Sequence, residues 1–350
     1  MNIDRISLSL LKGEINMIEQ QNIVYYGDPR LLEGSALIAR PIRAVILTSV
    51  RDTGIDDKNG IRVETGNGLQ HMEGAIERLV RETYPIWQGP FGMNYAGILT
   101  VGRLAGLVDV AGVITDDTEK DMRNSSYSAS PEPGRDWIHP SDLRTPEGRL
   151  VCDMTYNFPS TFRLLSLVGA EEERRQRKYK FEMQVLQKMR ELDGDILISD
   201  HLMMRLEYLY REPSLYGRVV NIHPAVTVKN YPYRFLGKTP THDAIASAKV
   251  DPSTRTGATL HFINKTIDDG PPIAYMASTP VYPNDEPQWL RYRNYQEAKL
   301  PLFIAGLAHY ARNIYPHLGE IDINALQPMV SQLGLNGHGR TQIHENIFLT

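Results

Sequence analysis

Cysteine is nearly absent. The 350-residue chain has one, Cys152, which excludes an intramolecular disulfide framework and any zinc site built from several cysteines. No apolar run approaches the roughly 18 residues of a transmembrane helix, so no membrane span and no membrane partner are expected. The opening MNIDRISLSLLKGE lacks a basic stretch followed by a long apolar one, the pattern of a secretory signal, and a cytoplasmic protein is expected. Neither charge sign dominates: 38 Lys and Arg stand against 42 Asp and Glu, a formal charge of -4. The basic footprint of a nucleic-acid binder is therefore missing. No internal repeat is found.

What is present is an ordinary globular composition, 41% hydrophobic, 8% aromatic and 23% charged. The length allows one large α/β domain or two modest ones with ample core. The one dense charge run, residues 171–180 (EEERRQRKYK), mixes both signs and reads as a solvated helix face.

Residues 1–41 have no strong period and are treated as an N-terminal extension. Residues 44–50 (AVILTSV) form a continuous apolar, β-branched run, consistent with a buried parallel strand. A helix is expected over 69–82, with Met72, Ile76, Leu79 and Val80 on one side, and a strand over 107–115. Residues 116–148, rich in Ser, Pro, Asp and Arg, read as a long surface excursion. Phe181, Val185, Met189 and Leu192 recur at helical spacing. Short strands are expected at 195–199 and 218–222, and a strand pair at 258–263 and 272–277. A strong helix is expected over 294–314, and 316–350 is treated as a C-terminal tail. Strands alternating with helices argue for an open, mainly parallel twisted sheet with helices on both faces. Residues 42–315 would form this Rossmann-type α/β domain.

Ligands of such sheets bind beyond the carboxyl ends of the strands. Asn221 and His223 sit at one such end, in the string Asn-Ile-His-Pro, and residues two apart on a strand share a side. Pro224 then ends the ladder. Asp268 follows the strand at 258–263, in Ile267-Asp268-Asp269-Gly270-Pro271. A hydrogen-bond donor, a group titrating near neutrality and a carboxylate suit a reaction in which an oxyanion forms and a proton moves. Alone, a strand-end histidine is more often structural, and an Asp-Gly turn is usually only a turn.

In combination these residues resemble the 10-formyltetrahydrofolate-dependent formyltransferases, of the glycinamide ribonucleotide and hydroxyornithine transformylase type. That family has a strand ending N-I-H-P, then T-H, V-H-F and L-D-G-G-P. This chain has NIHP, Thr241-His242, Leu260-His261-Phe262 and Ile267-Asp268-Asp269-Gly270-Pro271 in the same order. Upstream, the segment from Asp200 to Leu206 (DHLMMRL) resembles A-G-F-M-R-I-L, and Tyr295 to Leu302 (YQEAKLPL) resembles T-Q-E-H-x-x-Y-P-L. The likeness is good over about 180–310 and looser over 42–116.

The resemblance implies 10-formyltetrahydrofolate as co-substrate, no metal, and a small-molecule amine as acceptor. Self-association into a homo-oligomer is left open. By the same resemblance Asn221 binds the formyl oxygen and the oxyanion, His223 stabilises the tetrahedral intermediate as a protonated donor, and Asp268 holds His223 and carries a proton. The folate would lie against Asp200, Met203, Met204, Leu206, Ile267 and Asp269. His242, Gly66, Asn67, Gly68 and Glu297 would face the acceptor.

Each of these positions also has a plainer account. Gly66-Asn67-Gly68 echoes a phosphate-cradling loop but lacks its serine, and equally reads as the start of a helix. His242 steers the acceptor or folds its loop. Met203 and Met204 are core fillers in most proteins. Glu297 near a helix start is equally explained by the macrodipole. His201 and Arg205 frame the pocket, and His261 supports the site or is a plain strand histidine. Asp269 assists Asp268 or merely fills the turn.

The insertions and the changed sequence after NIHP make a different small amine, or an N-hydroxyamine, at least as good an acceptor candidate as glycinamide ribonucleotide. Two rivals remain. One is a 10-formyltetrahydrofolate hydrolase on the same scaffold, and the other is a folate-binding protein without catalysis. A dinucleotide-dependent oxidoreductase is rejected, because no G-x-G-x-x-G follows the first strand.

Overall fold

Among the described residues, nine strands form one sheet. The computed structural model describes residues 23–31, 40–49, 61–65, 68–72, 74–85, 102–118, 142–202 and 204–329. Strands β1 (Ile23–Gly27) and β2 (Ile42–Thr48) come first, then a separate hairpin of β3 (Ile61–Thr65) and β4 (Gly68–Met72). Helix α1 (Ala75–Thr83) leads to β5 (Val108–Thr115) and the short β6 (Thr155–Asn157). The long helix α2 (Glu171–Glu191) precedes β7 (Ile196–Ser199) and β8 (Val219–His223). Then follow α3 (Pro240–Ala248), β9 (Arg255–Phe262), β10 (Pro272–Pro280), α4 (Pro287–Asn294), α5 (Leu300–Asn313) and β11 (Gln327–Pro328).

The sheet order is β11-β1-β10-β9-β8-β7-β2-β5-β6. The five strands β8, β7, β2, β5 and β6 are mutually parallel. From β8 outward, β9, β10, β1 and β11 extend the sheet by antiparallel pairing. Strand β2 is apolar throughout because both its faces are covered. Ile42, Ala44 and Ile46 join one core with Ile76 and Leu79 of α1 and Phe303 and Leu307 of α5. Val45 and Leu47 join the other with Phe181, Val185 and Met189 of α2. Each of these larger side chains (Val, Leu, Ile, Phe and Met), fully buried, contributes roughly 1.5–3 kcal/mol. No helix among the described residues is long and apolar enough to cross a membrane.

Three readings change. The helix expected from residue 69 begins at Ala75, because Gly68–Met72 pairs with Ile61–Thr65 instead. Thr65 faces Gly68, and a Gly-Asn pair between two paired strands is hairpin composition rather than the start of a helix. The helix expected over 294–314 is split by a π turn, Tyr295–Lys299, in which the Leu300 N–H bonds the Tyr295 carbonyl five residues back. Pro301 is the cause: it has no N–H for the usual ladder, and its ring crowds the carbonyl four residues earlier. Finally, β1 and β11 lie inside the segments treated as N-terminal extension and C-terminal tail, so both contribute to the sheet.

His309 ties α5 to that added edge. Its Nε2 donates to the Tyr26 carbonyl at 2.7 Å, and its Nδ1 accepts from Asn313 at 3.0 Å. Burial pushes its pKa down to about 4, against about 6.5 for a free ring. At high pH the ring is neutral in both folded and unfolded chains. As pH falls from about 6.5 to 4, the unfolded chain takes up a proton that the folded ring refuses, so stability falls. The expected loss is on the order of 3 kcal/mol. Denaturant midpoints across this range are expected to fall less in His309→Gln; equal slopes would remove His309 as the cause.

Candidate active site

Strand β8 delivers Asn221 and His223 to one side of the sheet, as their two-residue spacing requires. On the neighbouring β9, His261 is the register partner of Asn221. Leu260 and Phe262 on either side of His261 point into the core, which turns His261 toward Asn221. The His261 Nδ1 lies 3.0 Å from its neighbour's carbonyl, Phe262 O, so it carries the ring proton. Its Nε2 must then accept, and does so from Asn221 Nδ2 at 3.1 Å. Burial first of all keeps this ring's proton affinity low, against the pull of Asp268, and so favours the neutral tautomer. Asn221 is thereby oriented, with its second Nδ2–H left to donate elsewhere.

Asp268 sits in the turn between β9 and β10 with φ +52°, a left-handed conformation uncommon for a residue with a side chain. The turn is braced around it. Asn264 accepts from Thr266 N at 2.8 Å and donates to the Asp269 carbonyl at 3.2 Å. Gly270 passes so close to β9 that an added Cβ would lie 1.6 Å from Phe262 O. Only glycine fits there, which gives the Asp-x-Gly-Pro string a steric reason. The Asp268 Oδ2 accepts from Gly237 N at 3.0 Å, and its Oδ1 lies 3.4 Å from His223 Nδ1 and 3.9 Å from His261 Nε2.

His223 is buried, and its Nε2 is 3.2 Å from the Phe235 carbonyl. A carbonyl only accepts, so Nε2 carries a proton. The other nitrogen, Nδ1, faces the Asp268 carboxylate. Burial lowers the proton affinity of this imidazole well below its ordinary range, and the Asp268 charge opposes that shift. The expectation of a resting imidazolium therefore meets a desolvation cost. Nδ1 and Oδ1 thus face each other as two acceptors, between which one proton can be taken up.

These groups open onto a cleft of about 1150 Å³. Asn221, His223, Asp268, His261, Met204, Leu206, Ile267 and His242 all line it. Met204, Leu206 and Ile267, with Leu202 and Ile263, make one apolar wall. Asp200 lies behind the wall, 1% exposed and paired with His201 and Lys299. Asp269 is ion-paired with Arg234 and is not among the lining residues. Nor is Glu297, which is exposed on the π turn, while Gly68 starts β4. Met203, Gly66 and Asn67 lie outside the described residues.

Lys299 was missed by the sequence reading. It lines the cleft at 2% exposure, with Nζ 2.7 Å from Asp200 Oδ1. A lysine in an apolar helix carries no local signal for burial, and its aim depends on the π turn. Among the described residues, no group of three or more His, Cys, Asp or Glu side chains is arranged to hold a metal ion.

No protein-family model matches the chain, and no curated protein matches it. Solved structures do. The chain shares the fold of PvdF of pyoverdin biosynthesis, described as a structurally unique N10-formyltetrahydrofolate-dependent formyltransferase. The TM-score is 0.61 at 23% identity, over 78% of this chain and 100% of that one. Phosphoribosylglycinamide formyltransferase from Bacillus halodurans matches at TM-score 0.43 and 19% identity, over 78% of this chain and 98% of that one. Formyltetrahydrofolate deformylase from Pseudomonas putida KT2440 matches at 0.44 and 17%, over 84% and 72%.

Proposed function

We propose that the protein is a formyltransferase that moves a formyl group from 10-formyltetrahydrofolate to the nitrogen of a small amine or N-hydroxyamine. The observation that carries this reading is the convergence of Asn221, His223 and Asp268 on one cleft, with His261 fixing the amide. The shared fold with a formyltransferase described as dependent on this donor supports it. The cleft fits the donor's chemistry: Leu202, Met204, Leu206, Ile263 and Ile267 offer an apolar wall to a flat heterocycle, and the polar groups stand at its end. When bound, the donor supplies an activated formyl carbon on nitrogen.

Asn221 donates its free Nδ2–H to the formyl oxygen and follows it as negative charge develops there. His261 keeps that amide from turning. His223 and Asp268 take up a proton between Nδ1 and Oδ1 as the attacking nitrogen sheds one, and pass it to the departing donor nitrogen. Gly237 N–H anchors the carboxylate oxygen Oδ2, so Oδ1 is the one aimed at His223.

The test is absorbance-followed turnover of 10-formyltetrahydrofolate with glycinamide ribonucleotide, amino sugars, ornithine and N-hydroxyornithine, and with no amine. Acceleration by at least one amine is expected. Equal turnover without any amine would replace transfer by hydrolysis. Absence of folate binding would remove both activities.

A further inference from the structure

Four of the five buried side chains of α2 are apolar, and the fifth is Glu182. It is 0% exposed, between Phe181 and Val185 on the face that meets the sheet. A carboxylate is expensive to bury, so its partners matter. They are three consecutive backbone N–H groups of the segment that follows β7. Glu207 N lies 2.9 Å from Oε1 and 3.0 Å from Oε2, Tyr208 N lies 2.7 Å from Oε2, and Leu209 N lies 3.0 Å from Oε2.

The segment so held is the apolar wall of the cleft. Met204 and Leu206 line the cleft directly before these N–H groups. Leu206 and Leu209 join Phe181 and Val185 in one core, and Met204 packs against it. Arg205 lines the cleft as well, and its buried Nε has no protein hydrogen-bond partner. Yet this stretch has no regular structure to stiffen it. Residues 204–207 make no backbone-to-backbone hydrogen bond among the described residues. Their tethers run to α2 instead: the Glu182 carboxylate and, one turn earlier, Lys178, whose Nζ lies 2.7 Å from Glu207 Oε1.

The energetics separate positioning from stability. Burial pushes the proton affinity of the Glu182 carboxyl up, and the three N–H groups and Lys178 bring it only part of the way back. The ionised group is therefore costlier in the fold than in water, and a gain in stability does not account for it. What the carboxylate supplies is geometry. One rigid helix fixes two oxygens, and these fix three successive peptide groups. A wall set in place before the ligand arrives spares binding the loss of affinity that a partly populated competent state imposes.

Resting on the formyl-transfer reading, we propose that Glu182 is a positioning residue of the donor site: its carboxylate presets the wall of Met204 and Leu206 against which the donor's heterocycle packs. It touches neither the donor nor the reacting atoms. Its influence therefore falls on donor affinity, and the step carried out by Asn221, His223 and Asp268 is left as it is.

The test compares Glu182→Gln with the wild-type chain. The amide has the same size, but its Nε2 donates and does not accept, so one oxygen is left for three N–H groups. Tetrahydrofolate, the donor without its formyl group, is the binding probe, since it needs no acceptor. Its dissociation constant is expected to rise roughly 10–100-fold, the equivalent of one lost set of hydrogen bonds to a charged group. In transfer assays KM for 10-formyltetrahydrofolate is expected to rise in step, with kcat within about threefold of wild type. A merely structural Glu182 would lower the folded fraction, and with it the apparent kcat, at an unchanged dissociation constant. That result, or wild-type affinity with wild-type kcat, would overturn the proposal and leave the formyltransferase reading intact. Absence of tetrahydrofolate binding by the wild-type chain would instead remove the donor reading itself.

A second measurement needs no variant. Site-resolved amide hydrogen exchange of the ligand-free wild-type protein is expected to show Glu207, Tyr208 and Leu209 protected, and their protection little changed by tetrahydrofolate. Amides that exchange freely until the folate is added would show a wall ordered by its ligand, and would overturn the role given to Glu182.

Discussion

Asp268→Asn is expected to lower turnover of 10-formyltetrahydrofolate by roughly 10²–10⁴-fold, the range for loss of a positioned acid or base. The amide is the same size and keeps an oxygen for the Gly237 N–H, so the turn is expected to stay in place. What is lost is the acceptor facing His223 Nδ1 at 3.4 Å. Burial already lowers the proton affinity of His223, and the Asp268 charge is the main influence raising it. Without that charge the ring is harder still to protonate, so lowering the pH does not rescue the variant. A low rate, flat with pH, is the expected profile in steady-state assays with folate affinity measured separately. Near wild-type turnover across the pH range would remove Asp268 from the chemistry. His223→Ala removes the other half of the same proton station and is expected to match it, and the double variant is expected to be little worse than either single one, because the two act as a unit.

Asn221→Ala is the second large effect, an expected loss of roughly 10²–10³-fold in rate with little change in donor affinity. The argument is differential. An amide N–H aimed at the formyl oxygen is worth more as that oxygen becomes an anion, so its removal falls on the rate more than on binding. Asn221 also satisfies His261 Nε2 at 3.1 Å, and that acceptor would be left buried without its donor. A stability loss of about 1–3 kcal/mol is therefore expected beside the kinetic one. Chemical denaturation of the variant separates the two, because a folded protein with a normal donor affinity and a collapsed rate identifies the kinetic role. A rate within about tenfold of wild type would rule out the oxyanion role.

The site was legible in the sequence where it lies along single strands and turns. The two-residue spacing of Asn221 and His223 needs only strand periodicity to place both in one cleft. Asp-x-Gly-Pro after β9 is a turn by composition, and Gly270 is required where the chain passes Phe262. His261 was legible as opposite in direction to Leu260 and Phe262, but its role as the clamp on Asn221 was not. That role depends on the antiparallel register of β8 with β9, a pairing between residues forty positions apart. Lys299 and His201 are farther apart again, and their meeting depends on a π turn caused by one proline.

The sequence by itself determined the central parallel strands, because a strand covered on both faces must be apolar at every position. It determined α2, whose charged first turns and buried Phe181, Val185 and Met189 follow from helical period alone. It also determined the chemical identity of the candidate groups. Only the tertiary structure decided that residues before β2 and after α5 join the sheet edge, since short strands without a period take their form from the partner they pair with. Only the tertiary structure decided which nitrogen of His223 carries a proton, because that is set by the Phe235 carbonyl, which the fold brings against the ring. Local patterns specify elements, but proton positions and cleft walls are properties of the contacts between them.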